Sequence, residues 1–271
     1  MLEQLLPLVL IFFAIAAVYA TAGFGGGSSY LAVLTLTGLA VADVRSLALL
    51  CNVIVAGNGT LRLARAGELP WRKALPLVIG SVPLAYLGGR VDLPRAQFLP
   101  LLGVVLLLAA LAMFFRDRLL PRDEVEPTPG TLDDSGQSFT QPVTTSGTQL
   151  IRTGLLGSGL GFLAGLVSIG GGIFLSPVLF LLRWDTARRI AAVTSLFILV
   201  NSLAGLAGRL SVPFTAHWLL SASLAVAVFF GGQLGTRLTI ARLSPVQIRR
   251  VAAGLILLVA VRLLYQSLTA A

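Results

Sequence analysis

Apolar residues gather along the chain in ten runs. They fall at roughly 5–22, 28–41, 46–61, 74–89 and 97–115, then at 153–168, 173–182, 190–208, 218–236 and 251–268. Many of them approach the length at which an α-helix crosses a bilayer, about 20 residues. The stretch 116–152 between the fifth and sixth runs is different in kind: rich in Pro, Thr, Ser, Gly and Asp, with no apolar period, as in a flexible linker. The pattern predicts an all-α polytopic membrane protein with a first membrane repeat at 1–115, a linker at 116–152 and a second membrane repeat at 153–271. The opening Met1-Leu2-Glu3-Gln4 lacks the positive n-region of a signal peptide, so the first run reads as a retained span.

The two halves match in sequence as well as in layout. Phe24-Gly25-Gly26-Gly27 pairs with Ile169-Gly170-Gly171-Gly172, Trp71 with Trp218, and Leu87-Gly88-Gly89-Arg90 with Leu234-Gly235-Thr236-Arg237. Gln97 then meets Gln247 and Gly103 meets Gly254, with the offset drifting only from 145 to 151. Each half holds five runs, and an odd number of crossings reverses the second copy, so two inverted repeats are expected.

Composition agrees: 56% of residues are hydrophobic and 11% charged, with a mean hydropathy of +0.91. Soluble domains carry about 25% charged residues. The net charge of +9 would suggest nucleic acid in a soluble protein, but here its placement matters more. In the inverted layout one side receives Arg62, Arg65, Arg72, Lys73, Arg116, Arg118, Arg122, Arg152, Arg183, Arg188, Arg189, Arg237, Arg242, Arg249 and Arg250. The other receives only Arg45, Arg90, Arg95 and Arg209, while Arg262 lies within the last run. The positive-inside rule makes the first set cytoplasmic. This puts the linker inside and both termini outside a cytoplasmic (inner) membrane, with no nucleic acid as partner.

The second run of each half is short for a span and follows a triple glycine. Paired short or glycine-interrupted segments at corresponding positions point to a transporter's binding site. Irregular backbone at membrane depth survives where it lines a cavity or is buried in protein. A helix restarting beyond the glycines aims its positive end at the break, which suits an anion. Candidate substrate contacts are therefore Gly25, Gly26, Gly27, Ser28 and Ser29 at the first break, and Ser168, Gly170, Gly171 and Gly172 at the second. Close packing is the bland alternative, and the small-residue spacing of Gly157, Gly161 and Gly165 is assigned to it.

Polar residues inside spans are costly and therefore informative. Asn52 and Asn58 in the third run, and Thr194, Ser195 and Asn201 in the eighth, add hydrogen-bonding groups to the candidate site, Ser202 beside them. Arg90 and Arg237 are repeat-equivalent and are candidates for attracting anions at the two mouths. Arg209 and Arg62 are weaker candidates of the same kind, and the other arginines, mostly at run ends, read as snorkelling.

With Pro177 in the second half and the Ala/Ser/Thr-rich helices that end in Asn52 and Asn201, Gly23-Phe24-Gly25-Gly26-Gly27 and Ser168-Ile169-Gly170-Gly171-Gly172 resemble the TauE/SafE sulfite exporter family. The resemblance covers all but the linker. It implies transport of sulfite, sulfonates and related organosulfur anions across the cytoplasmic membrane. Tyr30-Leu31-Ala32 stands where the second half has Leu175-Ser176-Pro177, so the breaks need not be equivalent.

Other chemistries fit poorly. A dinucleotide fingerprint at Gly23–Ser28 lacks its third glycine and a βαβ setting. A P-loop needs a Gly-Lys pair, and the only lysine is Lys73. Asp43, Asp92, Asp185 and Glu68 read as loop residues. No His/Cys/Asp metal cluster or nucleophile–base pair can be assembled, so no enzyme activity, metal or cofactor is expected. The reading is export of a small anion by alternating access between the repeats. Import of the same anions, or a non-transporting scaffold, remains open, as does a homo-oligomer.

Overall fold

The computed structural model describes residues 2–21, 24–119, 147–182, 184–238, 254, 257, 260–261 and 263–265. Nine helices span them: α1 Leu2–Thr21, α2 Gly27–Thr35, α3 Val41–Arg65, α4 Trp71–Arg90, α5 Arg95–Leu119, α6 Gly147–Val167, α7 Gly172–Leu181, α8 Ala187–Gly208 and α9 Trp218–Leu238. No strand occurs among the described residues. Most of the expected linker and of the tenth run lies outside them, as do Gly23, Arg183, Arg242, Gln247, Arg249 and Arg250.

Three helical segments are long and apolar enough to cross a bilayer: Val41–Arg65, Arg188–Gly208 and Trp218–Thr236, with mean hydropathies of 1.5, 2.0 and 1.5. Leu5–Ala20, Arg95–Leu108 and Arg152–Val167 are shorter apolar segments. Together they make this an all-helical membrane protein.

Helix contact is set by missing side chains. Along α4 and α6, a Cβ on Gly157, Gly161 or Gly165 would lie 2.4, 2.4 and 2.0 Å from the carbonyl oxygens of Leu77, Ser81 and Ala85. The pairs advance together, so these helices run parallel with backbones touching. The same device joins α1 to α9, where Gly231 and Gly235 face the carbonyls of Phe13 and Ala17. In lipid no hydrophobic force drives helices together, and close small-residue packing supplies the attraction. Between these pairs lie α3 and α8. They run antiparallel, since Gly59 faces Ser195 while Leu49 faces Gly205.

The third run starts at 46, but α3 begins at Val41 and carries Asp43 and Arg45 within its first turns. Both are buried, at 2% and 0% exposure. Hydropathy stops at charged residues. The helix continues because both find partners: Asp43 accepts from the N–H and hydroxyl of Thr215 at 2.8 and 2.5 Å, and Arg45 donates to a serine and three carbonyls.

Candidate functional site

The two glycine breaks share their hydrogen bonds, while the second carries more left-handed backbone: Gly170 takes φ 82° and its counterpart Gly25 does not. Phe24 N–H reaches back to the Tyr19 carbonyl at 3.0 Å, and Ile169 N–H to that of Ala164 at 3.2 Å. Gly26 then takes φ 83° and Gly171 φ 79°, left-handed backbone that glycine adopts without Cβ strain. The Gly26 carbonyl accepts from Ser29 and Tyr30, and the Gly171 carbonyl from Phe174 and Leu175, to start α2 and α7. The first N–H groups of those helices have no acceptor within their own turns.

The breaks face one another across the side chain of Asn52 on α3. Asn52 is wholly buried, and its Nδ2 donates to the Ile169 carbonyl at 3.0 Å. A Cβ on Gly25 would lie 2.6 Å from Asn52 Oδ1, one on Gly27 2.2 Å from Nδ2, and one on Gly170 3.1 Å from Nδ2. At Gly25 and Gly27 only glycine leaves room for the amide, and at Gly170 the contact is merely tight. On α8, Thr194, Ile198 and Ser202 recur every four residues, one face of a helix. Thr194 and Ile198 pack over Gly172, and Ile198 and Ser202 over Gly170.

Several polar atoms on α2, α3 and α8 are buried and unanswered. Ser28 Oγ, Tyr30 Oη, Asn52 Oδ1, Thr194 Oγ1, Ser202 Oγ and both polar atoms of Asn201 lack a protein partner. Buried polar groups are hydrogen-bonded in the large majority of cases, so these unpartnered atoms stand out, although of their residues only Ser28 lines the pocket between the breaks. Tyr19, Phe24, Gly25, Gly26, Gly27, Ser28, Ile169, Gly172, Ile173 and Ile198 line this pocket. It has room for about one water molecule.

The other candidates have protein partners or lie elsewhere. Ser29 Oγ is bonded to Tyr19 Oη at 2.8 Å. Ser195 is buried beside Gly59. Asn58 belongs to a separate partly buried chain: it donates to the Ile54 carbonyl and accepts from Gln233, whose Oε1 takes Arg62. Arg90 is exposed, its guanidinium 5.9 Å from the Tyr86 ring centroid. The side chain of Arg237 lies outside the described residues.

Two arginines read from sequence as end-of-run residues are instead buried. Arg45 reaches Ser168 Oγ at 2.9 Å and the carbonyls of Val91, Gly88 and Gly165. Arg209 reaches Ser46 Oγ and the carbonyls of Gly89 and Ala42. Burial lowers the Arg209 pKa, against the opposing charges of Asp92 and Asp43. Helical spacing was a signal for the first, since Arg45 precedes Asn52 by seven residues. No local signal marks the second. At the other end of the bundle Lys73 pairs with Asp185 at 2.8 Å, Arg189 with Asp185 at 3.5 Å, and Arg188 with Glu68 at 3.8 Å.

The sequence model of the family Sulfite exporter TauE/SafE matches residues 8–263. The chain is 30% identical over 266 residues to a probable membrane transporter protein, y4hK, of Sinorhizobium fredii (strain NBRC 101917 / NGR234), covering 97% of this chain and 99% of that one. It is 25% identical over 229 residues to the probable membrane transporter protein YunE of Bacillus subtilis (strain 168), covering 81% and 80%. No solved structure matches it.

Proposed function

We propose that this chain, which belongs to the sulfite exporter TauE/SafE family, exports small sulfur-containing anions such as sulfite and sulfonates through a site between its two glycine breaks. One observation carries the reading: both breaks converge on Asn52, amid buried hydroxyl and amide groups without protein partners. Hydroxyls, amide N–H groups and first-turn N–H groups are donors that suit the oxygens of an anion. The reading asks for no buried carboxylate, because an inside-negative potential favours anion exit by about 2.3 kcal/mol per charge per 100 mV.

Two inverted repeats supply the symmetry for alternating access. The hydrogen bonds of the breaks recur at a constant offset, and the glycine seams α4–α6 and α1–α9 each join the fourth helix of one half to the first of the other. The antiparallel α3 and α8 are the third helices of the two halves. The pocket is too tight for a polyatomic anion, so the breaks must part to admit one. In this reading the membrane is the cytoplasmic one, and the end carrying Lys73, Arg188 and Arg189 is cytoplasmic, with the termini outside.

The test is flux from proteoliposomes loaded with sulfite or methanesulfonate under an imposed potential. Potential-driven anion efflux supports the reading. Protein-dependent flux only against the potential and with a second ion supports import instead. No flux of either anion, with folded protein in the membrane, supports a scaffold.

A further inference from the structure

Helix α3 holds the second break at two successive residues. Arg45 Nε donates to Ser168 Oγ at 2.9 Å, and Asn52 Nδ2 to the Ile169 carbonyl at 3.0 Å. Seven residues is about two helical turns, so the two side chains project from one face. Ser168 itself has φ 61°, the only non-glycine residue with positive φ among those described. Its conformation is disfavoured for an L-residue and is braced by the arginine above it.

Arg45 is wholly buried, yet none of the described ion pairs includes it. Its remaining hydrogen bonds go to the carbonyls of Val91, Gly88 and Gly165, at the C-terminal ends of α4 and α6, and its guanidinium lies 5.7 Å from the Phe98 ring centroid. The carboxylate of nearby Asp43 is engaged by Thr215, and Asp92 is exposed. Helix C-termini carry only a partial negative charge. A positive charge thus stands beside Ser168, one residue from the pocket-lining Ile169, where the opposed charges of Arg209 and Asp92 are also felt.

We propose that Arg45 is a positioning residue of the anion site, which holds Ser168 in place and supplies the positive field that favours anions, dianions above monoanions, between the breaks. The inference rests on reading the breaks as the substrate site.

Equilibrium binding of thiosulfate (a dianion) and methanesulfonate (a monoanion) to the purified full-length protein tests it, with Arg45→Gln, Arg45→Lys and Ser168→Gly compared against wild type. Arg45→Gln is expected to weaken thiosulfate about tenfold and methanesulfonate distinctly less, since the field of the lost charge acts twice as strongly on a dianion. Arg45→Lys restores the wild-type ratio of the two affinities. Ser168→Gly keeps the backbone conformation and the guanidinium, and is expected to weaken both anions by a similar factor with the ratio unchanged. A merely structural arginine would leave the ratio unmoved in Arg45→Gln, and that result overturns the proposal. If Arg45→Gln does not fold, Ser168→Gly decides: affinities within about twofold of wild type overturn it. Wild-type protein that binds neither anion defeats the substrate-site reading itself, a separate outcome.

Discussion

Asn52 Nδ2 donates to the main-chain carbonyl of Ile169 across 117 positions of sequence. This bond ties the long helix of the first half to the glycine break of the second. The same amide fills the space that side chains at Gly25 and Gly27 would occupy. Asn52→Leu keeps the bulk but leaves the buried carbonyl unpaired, which costs about 1–3 kcal/mol. A lowered unfolding temperature in detergent checks this. Unchanged stability would mean that the carbonyl finds another donor.

Gly27 and Gly38 separate site geometry from general tolerance. A Cβ at Gly27 would lie 2.2 Å from Asn52 Nδ2 and 2.7 Å from the Ile169 carbonyl, whereas one at Gly38 meets nothing within 4 Å despite φ 77°. Gly27→Ala should therefore abolish transport. Gly38→Ala should retain it while losing about 1–2 kcal/mol to backbone strain. Reconstituted flux and thermal melts of the two variants give the comparison.

Much of this was legible in the sequence, because a triple glycine before a short apolar run has few other uses at membrane depth. The starts of α2 at Gly27 and α7 at Gly172 follow from that pattern. What was not legible depends on which helix lies opposite. Arg45 looks like an end-of-run residue until α4 and α6 bring it carbonyl acceptors. Asn58 looks like Asn52, six residues earlier, until Gln233 of α9 engages it. The run 28–41 is continuous in hydropathy, yet α2 stops at Thr35, since apolarity alone does not mark where a helix ends.

The glycine seams make a prediction about assembly within the chain. Gly165→Val on α6 and Gly235→Val on α9 would each drive a side chain into a carbonyl 2.0 Å from the Cβ position, that of Ala85 or Ala17. Each should cost several kcal/mol, as forced overpacking at about 1–3 kcal/mol adds to lost backbone contact. Gly159→Val, with nothing within 4 Å, should be neutral. Chemical denaturation in micelles ranks the three.

Lys73 Nζ lies 2.8 Å from Asp185, with side-chain exposures of 32% and 7%, and Arg189 shares the same carboxylate. Lys73→Met removes one partner and keeps the other. It is expected to cost less than about 1 kcal/mol and to matter less as salt rises. A salt series of melting temperatures checks this.

Orientation is open to a direct chemical test, because the lone Cys51 is buried and can be replaced. On a Cys51→Ala background, Glu68→Cys and Leu210→Cys should react with a membrane-impermeant thiol reagent from opposite sides, Glu68→Cys from the cytoplasmic side. Labelling of both from one side would contradict the bundle's polarity.

In the proposed transport cycle a small anion binds between the breaks at Asn52. The most direct measurement is the concentration dependence of sulfite flux in proteoliposomes holding equal amounts of folded wild-type and Asn52→Ala protein. Saturable wild-type flux, lost or shifted at least about tenfold in half-saturating concentration in the variant, is the predicted result. Flux that is saturable and identical in the two proteins would place the anion elsewhere and contradict the account.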